Sequence, residues 1–271
     1  MKRSIMALAF LFFALVACSD DDSGDFLTKP KDTAYSHDEE NSSSSSERRS
    51  SSSSSYSSSS VSSSSYMQSS SSIWFDNIPY IPPCRDEYAD SCGYGALVDE
   101  RDGQVYRTVD IGAQVWMAEN LNFKMDSSEC YEKDLENCGR YGRLYLWPDA
   151  MEICPSGWHL PTLDEWKILY TYAGGIETSA SKLRATDGWS DRRALGSDRY
   201  GFSVLPGGAY RADYSRFQDI TVYAYFWTST DYEEKEDNVY NICFDERDGI
   251  VDGHGPKFEG NLFSIRCLKD E

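Results

Sequence analysis

Basic residues are scarce in this chain. It carries 26 Lys and Arg against 45 Asp and Glu, a net charge of −19 with a pI near 4.5. No cluster of Lys or Arg offers a phosphate-binding stripe. Nucleic-acid affinity comes largely from such cations, so no nucleic-acid partner is expected. The acidity reads as a solubility feature. Histidine is rarer still, with three in 271 residues. His37, His159 and His254 are isolated from one another, too few and too scattered for a metal site shared with the cysteines. Ser, Asp and His never gather into a triad motif, and no glycine-rich phosphate loop occurs. No catalytic residues, cofactor or metal are therefore expected. A spanning helix needs about 20 apolar residues, and the apolar run at 5–17 is shorter than that.

That run follows Lys2 and Arg3 and reads as a signal peptide over 1–17. It ends Leu15-Val16-Ala17-Cys18, which resembles a bacterial lipobox, so Cys18 is expected to be the lipidated first residue and the link to the membrane. Ser19-Asp20-Asp21-Asp22 then resembles the surface-export signal of some Gram-negative lipoproteins. The expected location is the outer membrane, lipid-anchored and surface-exposed. Residues 18–72 form the lipidated N-terminus and a linker that is almost all serine from 42 to 72. No apolar face runs through it, so burial cannot offset the entropy of ordering. As a random coil the serine stretch spans roughly 30 Å root-mean-square.

Folded sequence is expected from residue 73. Residues 73–95 read as an N-terminal extension with a disulfide loop, and 96–271 as the main domain. Thr162 with Glu165 three positions on is a capping box. Leu163, Trp166, Leu169, Tyr170 and Ala173 then share one helical face, and Gly174-Gly175 stops it. This predicts a helix over 163–173. Short strands are expected at 104–110, 114–121, 202–205, 221–227, 238–244 and 263–268. Pro206-Gly207-Gly208 is read as the end of the third, and 177–200 as loop.

Eight cysteines in an exported chain imply an oxidising compartment. With Cys18 assigned to lipid, seven remain. Cys84 and Cys92 form one close pair, and Cys130 and Cys138 another. Each pair reads as a small loop stabilised by roughly 2.5 kcal/mol of chain entropy. Cys154, Cys243 and Cys267 are left over. Cys243, within VYNICF, is read first as a buried free thiol. A disulfide or a functional thiol is its alternative.

Six ordered motifs carry a resemblance: YRTVDIGAQVWMAENLNF, CGRYGRLYLW, CPSGWHLPTLDEWKIL, GFSVLPGGAYR, YFWTSTD and SIRCLKD. Together they closely resemble the Fibrobacter succinogenes major paralogous domain, over about residues 96–270. That family is similar in layout to C-type-lectin-like folds, including the formylglycine-generating type. The short strands around one or two helices, with long loops, already read as α+β and mostly antiparallel, and the resemblance implies a single C-type-lectin-like domain with disulfide staples. In such folds a cysteine at the first helix bonds one in the last strand, which implies a Cys154–Cys267 bond. The lectin calcium triplets Glu-Pro-Asn and Trp-Asn-Asp are absent, and Trp227-Thr228-Ser229 stands near the place of the second. The reactive cysteine pair of the formylglycine enzymes is absent too. The expected function is a cell-surface lipoprotein binding module, not an enzyme, with a glycan or protein ligand held on loops. Arg211, Tyr214, Arg216, Phe217, Asp231 and Tyr232 are the candidate contacts. An envelope scaffold with a protein partner is the alternative, and an enzyme related to the formylglycine group is the third reading.

Overall fold

The structure is a computed structural model that describes residues 78–190, 196–245 and 249–271. The signal, Cys18, the serine linker and the Asp191-Arg192-Arg193 cluster lie outside the described residues. The rest is α+β: ten strands in two five-stranded sheets, and four short helices.

The first sheet is built from β1 (Tyr94–Val98), β2 (Val105–Ile111), β3 (Gln114–Met117), β4 (Trp158–His159) and β10 (Leu268–Lys269). Its order is β1-β2-β3-β10-β4, antiparallel throughout. β1 and β2 form a hairpin whose turn is fixed by Asp99: Gly103 N donates to its carbonyl at 2.7 Å, and its buried carboxylate pairs with Arg101 at 2.6 Å. Gly112 turns β2 into β3 with φ +65°. A side chain there would run into the Tyr172 ring, about 2.2 Å from the Cβ position, so the turn admits only glycine.

The second sheet holds β5 (Gly207–Arg211), β6 (Arg216–Ile220), β7 (Ala224–Asp231), β8 (Asn238–Phe244) and β9 (Ile250–Pro256), in the order β6-β5-β7-β8-β9. All pairs are antiparallel except the single parallel bridge of β5 to β7 at Gly208 and Ala224. β7 is central and buried on both faces. Phe226 joins one core cluster while Tyr225 and Trp227 join the other, the two-residue period of a strand.

Helices α1 (Leu135–Tyr141) and α2 (Trp147–Ala150) precede β4, and α3 (Leu163–Tyr172) and α4 (Ile176–Leu183) follow it. α3 starts where the sequence places it: Thr162 Oγ1 accepts from Glu165 N, and the Glu165 carboxylate accepts from Thr162 N. Its Trp166 is fully buried against rings from both sheets, with Trp116 at 4.9 Å, Phe226 at 5.4 Å and Phe244 at 6.3 Å between centroids. One helix therefore fastens the two sheets together.

Three disulfides join described residues to one another: Cys84–Cys92, Cys130–Cys138 and Cys154–Cys267. The last joins the segment before β4 to the segment before β10, with Cα atoms 5.9 Å apart. Cys243 is fully buried in β8, but the free-thiol reading is corrected: it is disulfide-bonded. An apolar strand without a nearby base is compatible with either state, so its neighbours in sequence did not discriminate.

Other expectations also change. Pro206-Gly207-Gly208 does not close a strand: β5 begins at Gly207, right after the proline. Gly208 has φ +64°, and a side chain would meet Gln218 O and Ile220 N at 2.4 and 2.6 Å, so glycine lets β6 lie close. Residues 202–205 make only one isolated bridge, Val204 to Arg184. α4 begins one residue before the expected 177–200 loop and runs into it, and α1 lies partly inside the 130–138 disulfide loop. β1, β4, β6 and β9 are not among the expected strands, the expected strand at 263–268 keeps only its last residue in β10, and β1 spans the expected boundary between residues 95 and 96.

Candidate ligand-binding surface

Because β5 and β7 run parallel, their C-terminal ends reach the same edge of the second sheet. β5 leads into a 3-10 turn, Ala212–Tyr214, and then into β6. β7 ends at Asp231 and Tyr232. The six candidate residues thus fall into two groups. The stretch from Lys257 to Leu262 ties them together: Lys257 N donates to Asp237 O, Ala212 N donates to Asn261 Oδ1, and Leu262 and Tyr210 exchange backbone bonds.

In the first group, Arg211 lies over the rings of Tyr225 and Phe263 at 5.9 and 6.0 Å. Behind it, the Tyr225 hydroxyl donates to Asp219 at 2.9 Å, and burial pushes the Asp219 carboxyl up despite that bond. Tyr214 is half exposed, with the Arg216 guanidinium 5.7 Å above its ring. Phe217 sits against Tyr131 and Tyr210, with centroids 5.2 and 5.1 Å away, so its role is packing.

In the second group, Asp231 pairs with Lys257 at 2.7 Å. The Lys257 ammonium also stands 5.2 Å from the Trp147 ring centroid, and Phe258 meets that ring edge-on at 6.3 Å. Tyr232 stacks on His254 at 3.9 Å with 10° between planes. Trp147, Lys257, Phe258 and His254 escaped the sequence reading. The available signal was Phe258 itself, a lone aromatic between Lys257 and Glu259 in a stretch with no apolar period.

Two further polar constellations are present. His159 is bracketed by Asp270 at Nδ1 (2.7 Å) and Glu165 at Nε2 (3.0 Å). Burial lowers its pKa, but those two bonds outweigh it and the net shift is upward. A polar cleft of about 590 Å3 lies beside the Cys84–Cys92 loop. Its arginines are committed: Arg85 to Asp198 and Asp90, and Arg107 to Glu119. Among the described residues no group of His, Cys, Asp and Glu is placed to hold a metal ion, and no helix is long and apolar enough to cross a membrane.

No curated protein and no solved structure matches the chain. The Fibrobacter succinogenes major domain matches residues 109–269, from within β2 through the end of β10. The match takes in both halves of the surface just described and every strand of the second sheet. The chain therefore belongs to the Fibrobacter succinogenes major domain family.

Proposed function

We propose that this chain is a lipid-anchored, surface-exposed binding module of the bacterial outer membrane that presents a loop-built ligand site on a long tether. The observation that carries this reading is the edge joining the β5–β6 turn to the end of β7. There, side chains that a lone domain has no need to expose are held in fixed positions. Phe258 is 68% exposed and Tyr214 50%, yet each has a ring or guanidinium partner that orients it. A C-type-lectin-like layout suits the same reading. Its supports are the bond from Cys154 to Cys267, the meeting of β4 with β10, and a ligand edge made of loops. The module is read as a binder and not as an enzyme, without cofactor. Cys18 is read as its membrane link.

Retention of the intact chain on surface glycans or on surface proteins tests the reading. A folded chain that is retained by neither overturns it. Anchoring is tested separately: Cys18→Ala is expected to move the protein from the detergent phase to the aqueous phase. Retention in detergent would place the anchor elsewhere.

A further inference from the structure

We propose that the ligand of this edge is an uncharged polysaccharide, gripped by the strip Phe258–Trp147–Lys257–Asp231–Tyr232–His254. The proposal rests on the binding-module reading and adds the chemical class. The strip is continuous: Phe258 touches Trp147, Lys257 spans Trp147 and Asp231, and Tyr232 follows Asp231 and stacks on His254.

Each part is fixed before any ligand arrives. Trp147 Nε1 donates inward to Thr228 O at 2.9 Å, so the indole cannot turn. The Tyr232 hydroxyl donates to Glu234 at 2.8 Å, which holds that ring flat on His254. The side chain of Lys257 is only 10% exposed. Rigid rings lose little entropy on binding.

Charge selects among ligands. The neighbouring turn, 233–237, holds four carboxylates and one lysine, so anionic polymers are repelled. A cationic ligand would seek the face of Trp147 and the Asp231 carboxylate, but the Lys257 ammonium already occupies both. What remains is a neutral molecule that offers an apolar face to the exposed Phe258 ring and hydroxyls to the exposed Asp231 carboxylate. A pyranose has both: axial C–H groups on its face and O–H groups on its rim. Ionised side chains make the stronger hydrogen bonds to such hydroxyls.

Affinity electrophoresis of the full chain through dextran, galactomannan, mixed-linkage β-glucan and polygalacturonate tests this. Retardation by at least one neutral polymer and none by polygalacturonate is expected. Phe258→Ala should weaken that retardation about tenfold or more, the equivalent of one lost ring contact. Leu135→Ala, which removes a comparably exposed side chain on α1, should leave it unchanged. Retardation that survives both Phe258→Ala and Tyr232→Ala overturns the strip as the site. Retardation by polygalacturonate alone overturns the charge argument. No retardation by any polymer, together with a cross-link to one defined surface protein on intact cells that Phe258→Ala abolishes, overturns the polysaccharide but keeps the binding module. Neither retardation nor cross-link overturns both.

Discussion

At the residue scale the most consequential side chain is Arg266. It is fully buried, and its guanidinium donates only to neutral oxygens: Asn120 Oδ1 from both Nε and Nη2, and the carbonyls of Phe202 and Ser203. The rings of Phe202 and Phe226 flank it. Burial lowers its pKa to about 9, so it keeps its charge at neutral pH. The several bonds are what make a buried charge tolerable. Arg266→Ala is expected to cost roughly 3–5 kcal/mol, since it opens a cavity and leaves buried acceptors without donors. Arg266→Met, which keeps the volume, should cost less. Urea unfolding measures both, and an alanine variant as stable as the parent would remove this role. His159 gives a pH dependence. Its pKa is raised in the folded chain, so its contribution is fully present below about pH 6.5 and fades as pH rises through the folded value. Being partly exposed, it is worth less than about 1 kcal/mol. His159→Gln should flatten stability against pH above 6.5, and a slope unchanged by the substitution would assign that slope to other groups.

At the element scale, α3 was legible because every signal for it is local: cap, period and stop lie within the fourteen residues 162–175. Thr162→Ala should cost about 1 kcal/mol of stability by removing the hydroxyl that caps Glu165 N. A thermal melt that does not move would show the cap to be dispensable. The second sheet was half legible. β8 reads from its own aromatic and β-branched residues and occupies the expected 238–244. β9 carries Gly253, Gly255 and Pro256, poor strand formers by themselves, and becomes a strand by pairing along the length of β8. Likewise Gly207-Gly208 looked like a stop because a turn is the commonest use of such a pair. Here the glycine permits a close approach that only the fold creates. Gly208→Ala should therefore cost roughly 1–3 kcal/mol or more, combining a positive φ with a backbone clash. An alanine variant of unchanged stability would show that β6 can move aside. The candidate surface was the least legible part. Trp147 and Phe258 are 111 positions apart and meet where the bridge of Tyr145 to Phe263 brings their segments together. Asp231 and Tyr232 were legible from their turn; the partners that orient them were not.

At the scale of the whole molecule, covalent and non-covalent closure coincide. Cys154 and Cys267 are 113 positions apart and flank the two strands that complete the first sheet. By chain entropy the bond is worth about 5 kcal/mol. Replacing both cysteines by alanine should lower the unfolding midpoint far more than replacing Cys84 and Cys92, whose loop is short. Equal effects would show that loop length does not govern here. The position of β10 has a temporal consequence. It lies between β3 and β4, yet it is the last strand in the chain. Until residues 268–269 arrive, β3 and β4 have no ladder between them, and Arg266 and Cys267 have not reached their partners. A chain made N-terminus first therefore cannot close this sheet until β10 has been made. The first sheet behaves as a seam that is sewn at its final stitch: β3 and β4 are joined only when β10 slots between them.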